Sequence, residues 1–291
     1  MDIDDRRFAY LAQDGAEIAA YRWEGGMELP KGVIQIAHGA GEHSMRYLEP
    51  LRPIIEAGYI VYSADHRGHG LTADKDGLGD FGPAGAQACI DDMAVLSALI
   101  RQEDPGLPLI LFGHSMGAMF AQAYILDHSD RIDALVLSGT AGGPAPPPGS
   151  PPPLPADRNV FEKRTEYDWL SRDAAEVDKY IADPLCKIRF TPNSSASLAA
   201  LRAPLGDAGL LAAVRNTLPV YVFVGDQDPI NAGMTRLYPL IEMYRAAGLT
   251  DVSLKVYPGG RHEMLNETNR DEVVADLLAW LDATCQALAS R

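Results

Sequence analysis

The stretch Leu109-Ile110-Leu111-Phe112-Gly113-His114-Ser115-Met116-Gly117 decides the fold. An apolar run stops abruptly at Gly-x-Ser-x-Gly, and a helical pattern starts at once. Met116, Met119, Phe120, Ala123 and Tyr124 recur at three- and four-residue spacing, which predicts a helix with one buried face. A strand turning that sharply into a helix forces the serine between them into a strained backbone conformation. Gly113 and Gly117 are required there because a Cβ would collide with the neighbouring strand or helix. The expected result is an exposed Ser115 Oγ at a helix N-terminus, where unpaired N–H groups can stabilise a developing oxyanion.

Working outward, the rest of the chain alternates strand and helix. Phe8 to Trp23 reads as an edge hairpin around Gln13-Asp14-Gly15. Val33-Ile34-Gln35-Ile36-Ala37 is a β-rich run that ends in the glycine-rich loop His38-Gly39-Ala40-Gly41-Glu42-His43. A loop at the carboxyl end of a strand lies where open α/β sheets bind ligands, and this one can bring a backbone N–H towards the serine. A helix from Tyr47 to Ala57 ends at Gly58, and the strand Tyr59–Ala64 runs into Asp65-His66-Arg67-Gly68-His69-Gly70. That loop offers no second ligand cluster, so its glycines are read as a tight turn and not as part of a metal site. A helix is expected from Pro83 to Glu103, and Ala134-Leu135-Val136-Leu137-Ser138 is the next buried strand.

The alternation then fails. Residues 142–153 are proline- and glycine-rich and cannot form helix or central strand, so they read as an exposed lead-in to an insertion. Within the insertion, Asp173 and Glu176 look like a capping box, and Leu198/Leu201 and Leu210/Leu211/Val214 mark two further short helices. The expected organisation is a core of residues 1–142 and 219–291 with a helical cap over 143–218. The sheet resumes at Val220–Val224, then a helix runs from Met234 to Ala247. The last strand spans Val252–Tyr257, and a C-terminal helix begins near Asn269. The fold class is therefore α/β, with a mostly parallel central sheet flanked by helices.

Composition narrows the function. The 291 residues carry 40 Asp and Glu against 25 Lys and Arg, a net charge of −15, which argues against nucleic acid and anionic lipid as electrostatic partners. Cys89, Cys186 and Cys285 are far apart and odd in number, so buried reduced thiols are expected rather than a metal or disulfide framework. The N-terminus lacks the basic start and apolar core of a signal peptide, and no run is long enough to span a bilayer. A cytoplasmic location is the resulting expectation.

Acyl transfer by serine needs a base and a carboxylate that orients it, both on loops beyond the nucleophile. Asp228 and His262 satisfy this in the order Ser, Asp, His. Asp226 shares the loop and competes for the acid role. Asp228 is preferred because it stands at the loop tip before Pro229, leaving Asp226 as a turn cap. His262 is the only one of seven histidines to follow both serine and acid. His43 lies near the site with a structural role at most.

Four stretches carry a resemblance: His38-Gly39-Ala40-Gly41-Glu42-His43-Ser44-Met45-Arg46-Tyr47, Asp65-His66-Arg67-Gly68-His69-Gly70, Gly113-His114-Ser115-Met116-Gly117 and Tyr257-Pro258-Gly259-Gly260-Arg261-His262. Together the chain resembles the monoglyceride lipase and lysophospholipase branch of the α/β-hydrolases. In the cap only Leu170-Ser171-Arg172-Asp173 and Asp183-Pro184-Leu185-Cys186 look similar to bacterial members, and the proline-rich lead-in departs from the family pattern. The resemblance implies an α/β-hydrolase fold with an inserted helical cap, and Ser115, Asp228 and His262 as triad. It also implies an oxyanion hole from the N–H groups of Ala40 and Met116, the two positions that follow the glycine-rich loop and the nucleophile. It requires no cofactor and no metal.

The expected activity is cleavage of a carboxylic ester of a single-acyl lipid, a monoacylglycerol or lysophospholipid. The alternatives are a short-chain carboxylesterase or thioesterase, or an acyltransferase. A non-catalytic ligand-binding protein of the same fold would have no need of all three triad residues. A carboxylate nucleophile, as dehalogenation would want, is absent from the elbow. Transient contact of the cap with lipid aggregates is a further expectation.

Overall fold

The computed structural model describes residues 3–73, 77–142 and 164–290. The proline-rich lead-in of the sequence reading therefore lies outside the described residues from 143 onward. In chain order the elements are β1 (Asp4–Leu11), β2 (Glu17–Glu24), β3 (Gly32–Ala37), α1 (Leu48–Glu56), β4 (Tyr59–Ala64), α2 (Ala86–Glu103), β5 (Leu109–His114), α3 (Met116–His128) and β6 (Ala134–Ser138). After β6 come α4 (Ala174–Ala182), α5 (Pro192–Ala200) and α6 (Ala208–Ala212), then β7 (Val220–Gly225), α7 (Tyr238–Ala246), β8 (Val252–Tyr257) and α8 (Arg270–Ala289).

The eight strands make one sheet in the order β1-β2-β4-β3-β5-β6-β7-β8. β1 pairs antiparallel with β2 and β2 antiparallel with β4, whereas every pair from β4 to β8 is parallel. Parallel strands covered on both faces read as continuous apolar runs, and this is why β3, β4, β5, β6 and β7 are buried at every residue. Their side chains still alternate between two cores. Leu109 and Leu111 of β5 join the core under α2, α3 and α7, while Ile110 and Phe112 join the one under α1 and α8. Each such fully buried side chain contributes about 1.5–3 kcal/mol relative to an exposed one.

Local structure departs from the sequence reading in three places. α2 starts at Ala86 and not at Pro83, because Gly85 caps it at a φ of +64° and holds the preceding turn out of the helix. α3 is buried almost all round rather than on one face: Ala118, Ala121, Gln122 and Ile125 are buried along with Phe120 and Tyr124. Leu201, Leu205 and Leu211 from the segment after β6 share the core that buries it, so α3 meets apolar side chains beyond those of the sheet. At α4 only half of the capping box forms. The Asp173 side chain accepts from the Ala175 N–H at 3.0 Å, but Glu176 is taken by Arg270 of α8 at 2.9 Å.

The described residues between β6 and β7 contain helices and turns and no strand. All three cysteines are free thiols in buried positions. Among the described residues no helix is long and apolar enough to cross a membrane.

Candidate active site

Parallel register brings the loops together. Gly113 pairs with Ala37 and His114 with Ser138, so the loop after β3 and the turn after β5 emerge side by side at the carboxyl edge of the sheet. Ser115 sits between β5 and α3 with φ +54° and ψ −114°, in the left-handed region that a non-glycine residue rarely occupies. The turn is closed because Gly113 and Gly117 lack side chains. A Cβ on Gly113 would lie 2.5 Å from the Gly117 carbonyl oxygen, and one on Gly117 would overlap the Ala37 carbonyl. The Ser115 N–H donates to the Ser138 carbonyl at 2.9 Å and fixes the elbow to β6.

His262 follows β8 and is buried. Its Nε2 lies 2.8 Å from Ser115 Oγ, and its Nδ1 lies 2.9 Å from Asp228 Oδ2. An ionised carboxylate only accepts, so Nδ1 carries the proton and Nε2 is left to accept the serine hydroxyl. Asp228, just past β7, is 1% exposed, and its other oxygen accepts the Ile230 N–H at 2.9 Å. Asp226 points elsewhere: its carboxylate accepts the Gly259 N–H at 2.8 Å and holds the loop after β8. The sheet ends thus bring Ser115, His262 and Asp228 together and keep Asp226 apart.

Met116 is the first residue of α3, so its N–H belongs to the unpaired first turn. Ala40 is at the exposed apex of the loop after β3. Among the described residues neither N–H donates to an internal acceptor. Gly39, before Ala40, approaches so closely that a Cβ there would lie 3.2 Å from Ser115 Cβ.

Beneath these groups is a buried ionic cluster that the sequence reading missed. Glu42 Oε1 accepts the Gly39 N–H at 2.5 Å and the Tyr47 hydroxyl at 2.7 Å, and Oε2 pairs with Arg46 at 2.5 Å. Arg46 also holds Glu263, the neighbour of His262, through two bonds of 2.8 and 2.7 Å. Burial pushes the Glu42 carboxyl up, but the Arg46 charge, nearby histidines and the Tyr47 hydrogen bond outweigh it and hold it at about 2. Burial likewise opposes ionisation of Glu263, and Arg46 overrides it. The Glu42/Arg46 spacing of four residues was the one visible signal. Glu263 is 217 residues from Arg46, and no spacing rule reaches that far.

The histidines divide by environment. His114 packs against His262 with ring centroids 4.8 Å apart, and burial together with that neighbour lowers it to about 4. His38 donates from Nδ1 to the Gly39 carbonyl at 2.8 Å and accepts the His66 N–H at Nε2, so it braces two loops. Burial lowers His66 and takes His69 to about 3. The segment after β6 also reaches the site, with the Trp169 ring 4.8 Å from that of His262 and the Leu170 carbonyl accepting the Glu263 N–H at 2.8 Å. A second grouping joins Asp183 and Cys186, three residues apart in that segment, with His43, 140 residues away on the loop after β3.

Residues 28–269, most of the chain, match the family described as serine aminopeptidase, S33. The chain belongs to that family. Within it the chain falls in the monoglyceride-lipase-like branch of the α/β-hydrolases, and that membership makes it a carboxylic ester hydrolase. It is 33% identical over 268 residues to the monoacylglycerol lipase of Mycolicibacterium smegmatis, covering 87% of this chain and 88% of that one. It is 28% identical to the human monoglyceride lipase, covering 82% and 77%. Among solved structures, a thermostable carboxyl esterase from Bacillus coagulans in complex with glycerol superposes with a TM-score of 0.85 at 28% identity, covering 98% and 99%. The Saccharomyces cerevisiae monoglyceride lipase, a soluble variant, shares the fold with a TM-score of 0.75 at 21% identity over 97% and 95%.

Proposed function

We propose that this S33-family hydrolase cleaves carboxylic esters of single-acyl lipids, monoacylglycerols or lysophospholipids, through an acyl-enzyme. The observation that carries the mechanism is the unbroken line from Ser115 Oγ through His262 to Asp228, with bonds of 2.8 and 2.9 Å, at the N-terminus of α3. Ser115 Oγ attacks the ester carbonyl while His262 Nε2 takes its proton, and Asp228 holds the tautomer and offsets the imidazolium charge. The Ala40 and Met116 N–H groups receive the oxyanion. His262 then protonates the leaving alcohol, water enters, and the same base activates it to release the fatty acid.

The single-acyl substrate is supported by the relatives named lipases and by the largely helical segment between β6 and β7, whose Trp169 packs on His262. In this reading residues 143–218 form the cap, and Trp169 beside His262 lines the approach to the nucleophile. The cap also touches lipid aggregates through apolar side chains such as Leu210, which is 40% exposed on α6. Flotation with neutral liposomes tests that contact, and a protein that stays at the bottom refutes it.

A second reading, a general short-chain esterase, is favoured by the likeness to the carboxyl esterase of Bacillus coagulans. Hydrolysis of a monoacylglycerol series from short to long chains, with Ser115→Ala as control, separates the two. Rates rising towards long chains support the lipase reading, and rates peaking at the shortest chain overturn it in favour of the esterase. Equal rates in both proteins overturn the role of Ser115.

A further inference from the structure

We propose that His43, Asp183 and Cys186 form a three-ligand site for a zinc-class dication, one that ties the loop after β3 to the segment after β6. The proposed ion has no part in ester cleavage and uses none of the residues placed in that chemistry.

The first support is geometric. One donor atom from each of the three residues lies within 4.8 Å of the other two, and His43 Nε2 is 2.9 Å from Asp183 Oδ2. A tetrahedral zinc ion with two bonds near 2.0–2.1 Å and one near 2.3 Å spaces its donors roughly 3.3–3.7 Å apart, so small side-chain shifts suffice. His43 and Cys186 are 7% and 5% exposed, while Asp183 stays partly open to solvent, which leaves a fourth position for water.

The second support is that the ligands are already aimed. Asp183 Oδ1 is occupied by the Leu185 N–H at 2.8 Å, so the carboxylate presents Oδ2 alone to the site. The Cys186 N–H donates to the Asp183 carbonyl at 3.3 Å, closing a tight turn that places thiol and carboxylate together. Lys187 is held at φ +62°, in the left-handed region, with its N–H on the Gly41 carbonyl at 3.1 Å. Backbone strain at the residue after Cys186 thus accompanies the docking of this turn on the loop that bears His43.

The third support is the chemistry of the donor set. Thiolate, imidazole and carboxylate together suit zinc rather than magnesium or calcium, which take oxygen ligands. On binding, the thiol gives up its proton to solvent, the Nε2 lone pair turns to the metal with the ring proton on Nδ1, and the His43–Asp183 hydrogen bond is replaced by two metal bonds.

The test uses the full chain without a polyhistidine tag, reduced and stripped with a chelator, then titrated with zinc chloride against a chromophoric competitor. One zinc per chain is expected, with affinity at least tenfold weaker in His43→Gln and Cys186→Ser, and a zinc-dependent rise in Tm in the parent only. Cobalt as a probe should give a thiolate-to-cobalt charge-transfer band that Cys186→Ser abolishes, a readout that a purely structural cysteine would not move. Asp183→Asn keeps the thiol and serves where Cys186→Ser does not fold. No stoichiometric zinc at micromolar concentration, or a thiolate band that survives in Cys186→Ser, overturns the site and leaves His43–Asp183 as a hydrogen bond alone.

Discussion

The backbone N–H of Gly39 donates to Glu42 Oε1 at 2.5 Å, so a buried carboxylate three residues ahead sets the shape of the loop that carries Ala40. The same carboxylate is clamped by Arg46, and Arg46 in turn grips Glu263 beside His262. One guanidinium therefore couples the loop proposed to bind the oxyanion with the loop after β8 that carries the proposed base. The coupling is rigid because the three charges are nearly excluded from water, where an unpaired partner would be costly.

Glu42→Ala should for that reason damage turnover more than binding. The Gly39 N–H and Tyr47 hydroxyl lose their acceptor and Arg46 loses one of its two carboxylates, at about 3–5 kcal/mol of stability. A loop displaced by a few tenths of an ångström should lower kcat by about 10–100-fold with little change in KM. Glu42→Gln, which still accepts from Gly39, should recover part of both. Steady-state kinetics and thermal melts check this, and an unchanged kcat in Glu42→Ala would remove the loop-setting role.

Ser115→Ala and Asp228→Asn should separate nucleophile from orienter. Removing Oγ eliminates the acyl-enzyme and should cut kcat by at least about 10⁴-fold while leaving the melt cooperative. Asp228→Asn keeps the shape of the side chain but presents an amide N–H or a weaker acceptor to Nδ1, so the wrong tautomer is favoured and a loss of about 10⁴-fold is expected. Labelling with a fluorophosphonate should vanish in the first variant and slow sharply in the second.

Gly117→Ala should fail for a steric reason unrelated to chemistry. Its new Cβ would overlap the Ala37 carbonyl, which belongs to a central strand and cannot retreat. A loss above about 4 kcal/mol is expected, visible as a large fall in soluble yield and in Tm. A near-native melt would show that β3 and α3 can separate, contrary to the packing described.

What was legible in the sequence follows the range of the forces involved. Gly113, Ser115 and Gly117 announce the elbow because a tight turn is a local steric problem, and Asp228 and His262 lie on the loops after β7, an apolar run, and β8, an alternating one. The half-formed box at Asp173 and Glu176 was not legible, since Arg270 arrives from a helix 94 residues on. Nor was the all-round burial of α3, because Leu201 and Leu205 come from a segment whose position periodicity does not report. Trp169 beside His262 and Glu263 on Arg46 are likewise contacts made by the fold and invisible in the local pattern.

Acid should unfold this protein earlier than its carboxylates alone require. Burial holds His114 at about 4 and His69 at about 3, against about 6.5 for a histidine in the unfolded chain. Between those limits the unfolded state binds protons that the folded state refuses, so stability is highest above about pH 6.5 and falls with decreasing pH. Glu42 acts with the same sign lower down: its stabilisation is present above the ordinary glutamate value of about 4.3 and is lost towards about 2. Replacing His69 by Phe keeps a ring stacked on Phe81 and deletes one titration. Denaturant unfolding from about pH 7 to about pH 4 should then show a slope smaller by up to one proton, about 1.4 kcal/mol per pH unit, than in the parent. An identical slope in the two proteins would mean that the His69 ring already titrates normally in the fold, which its complete burial between Phe81 and Phe190 argues against.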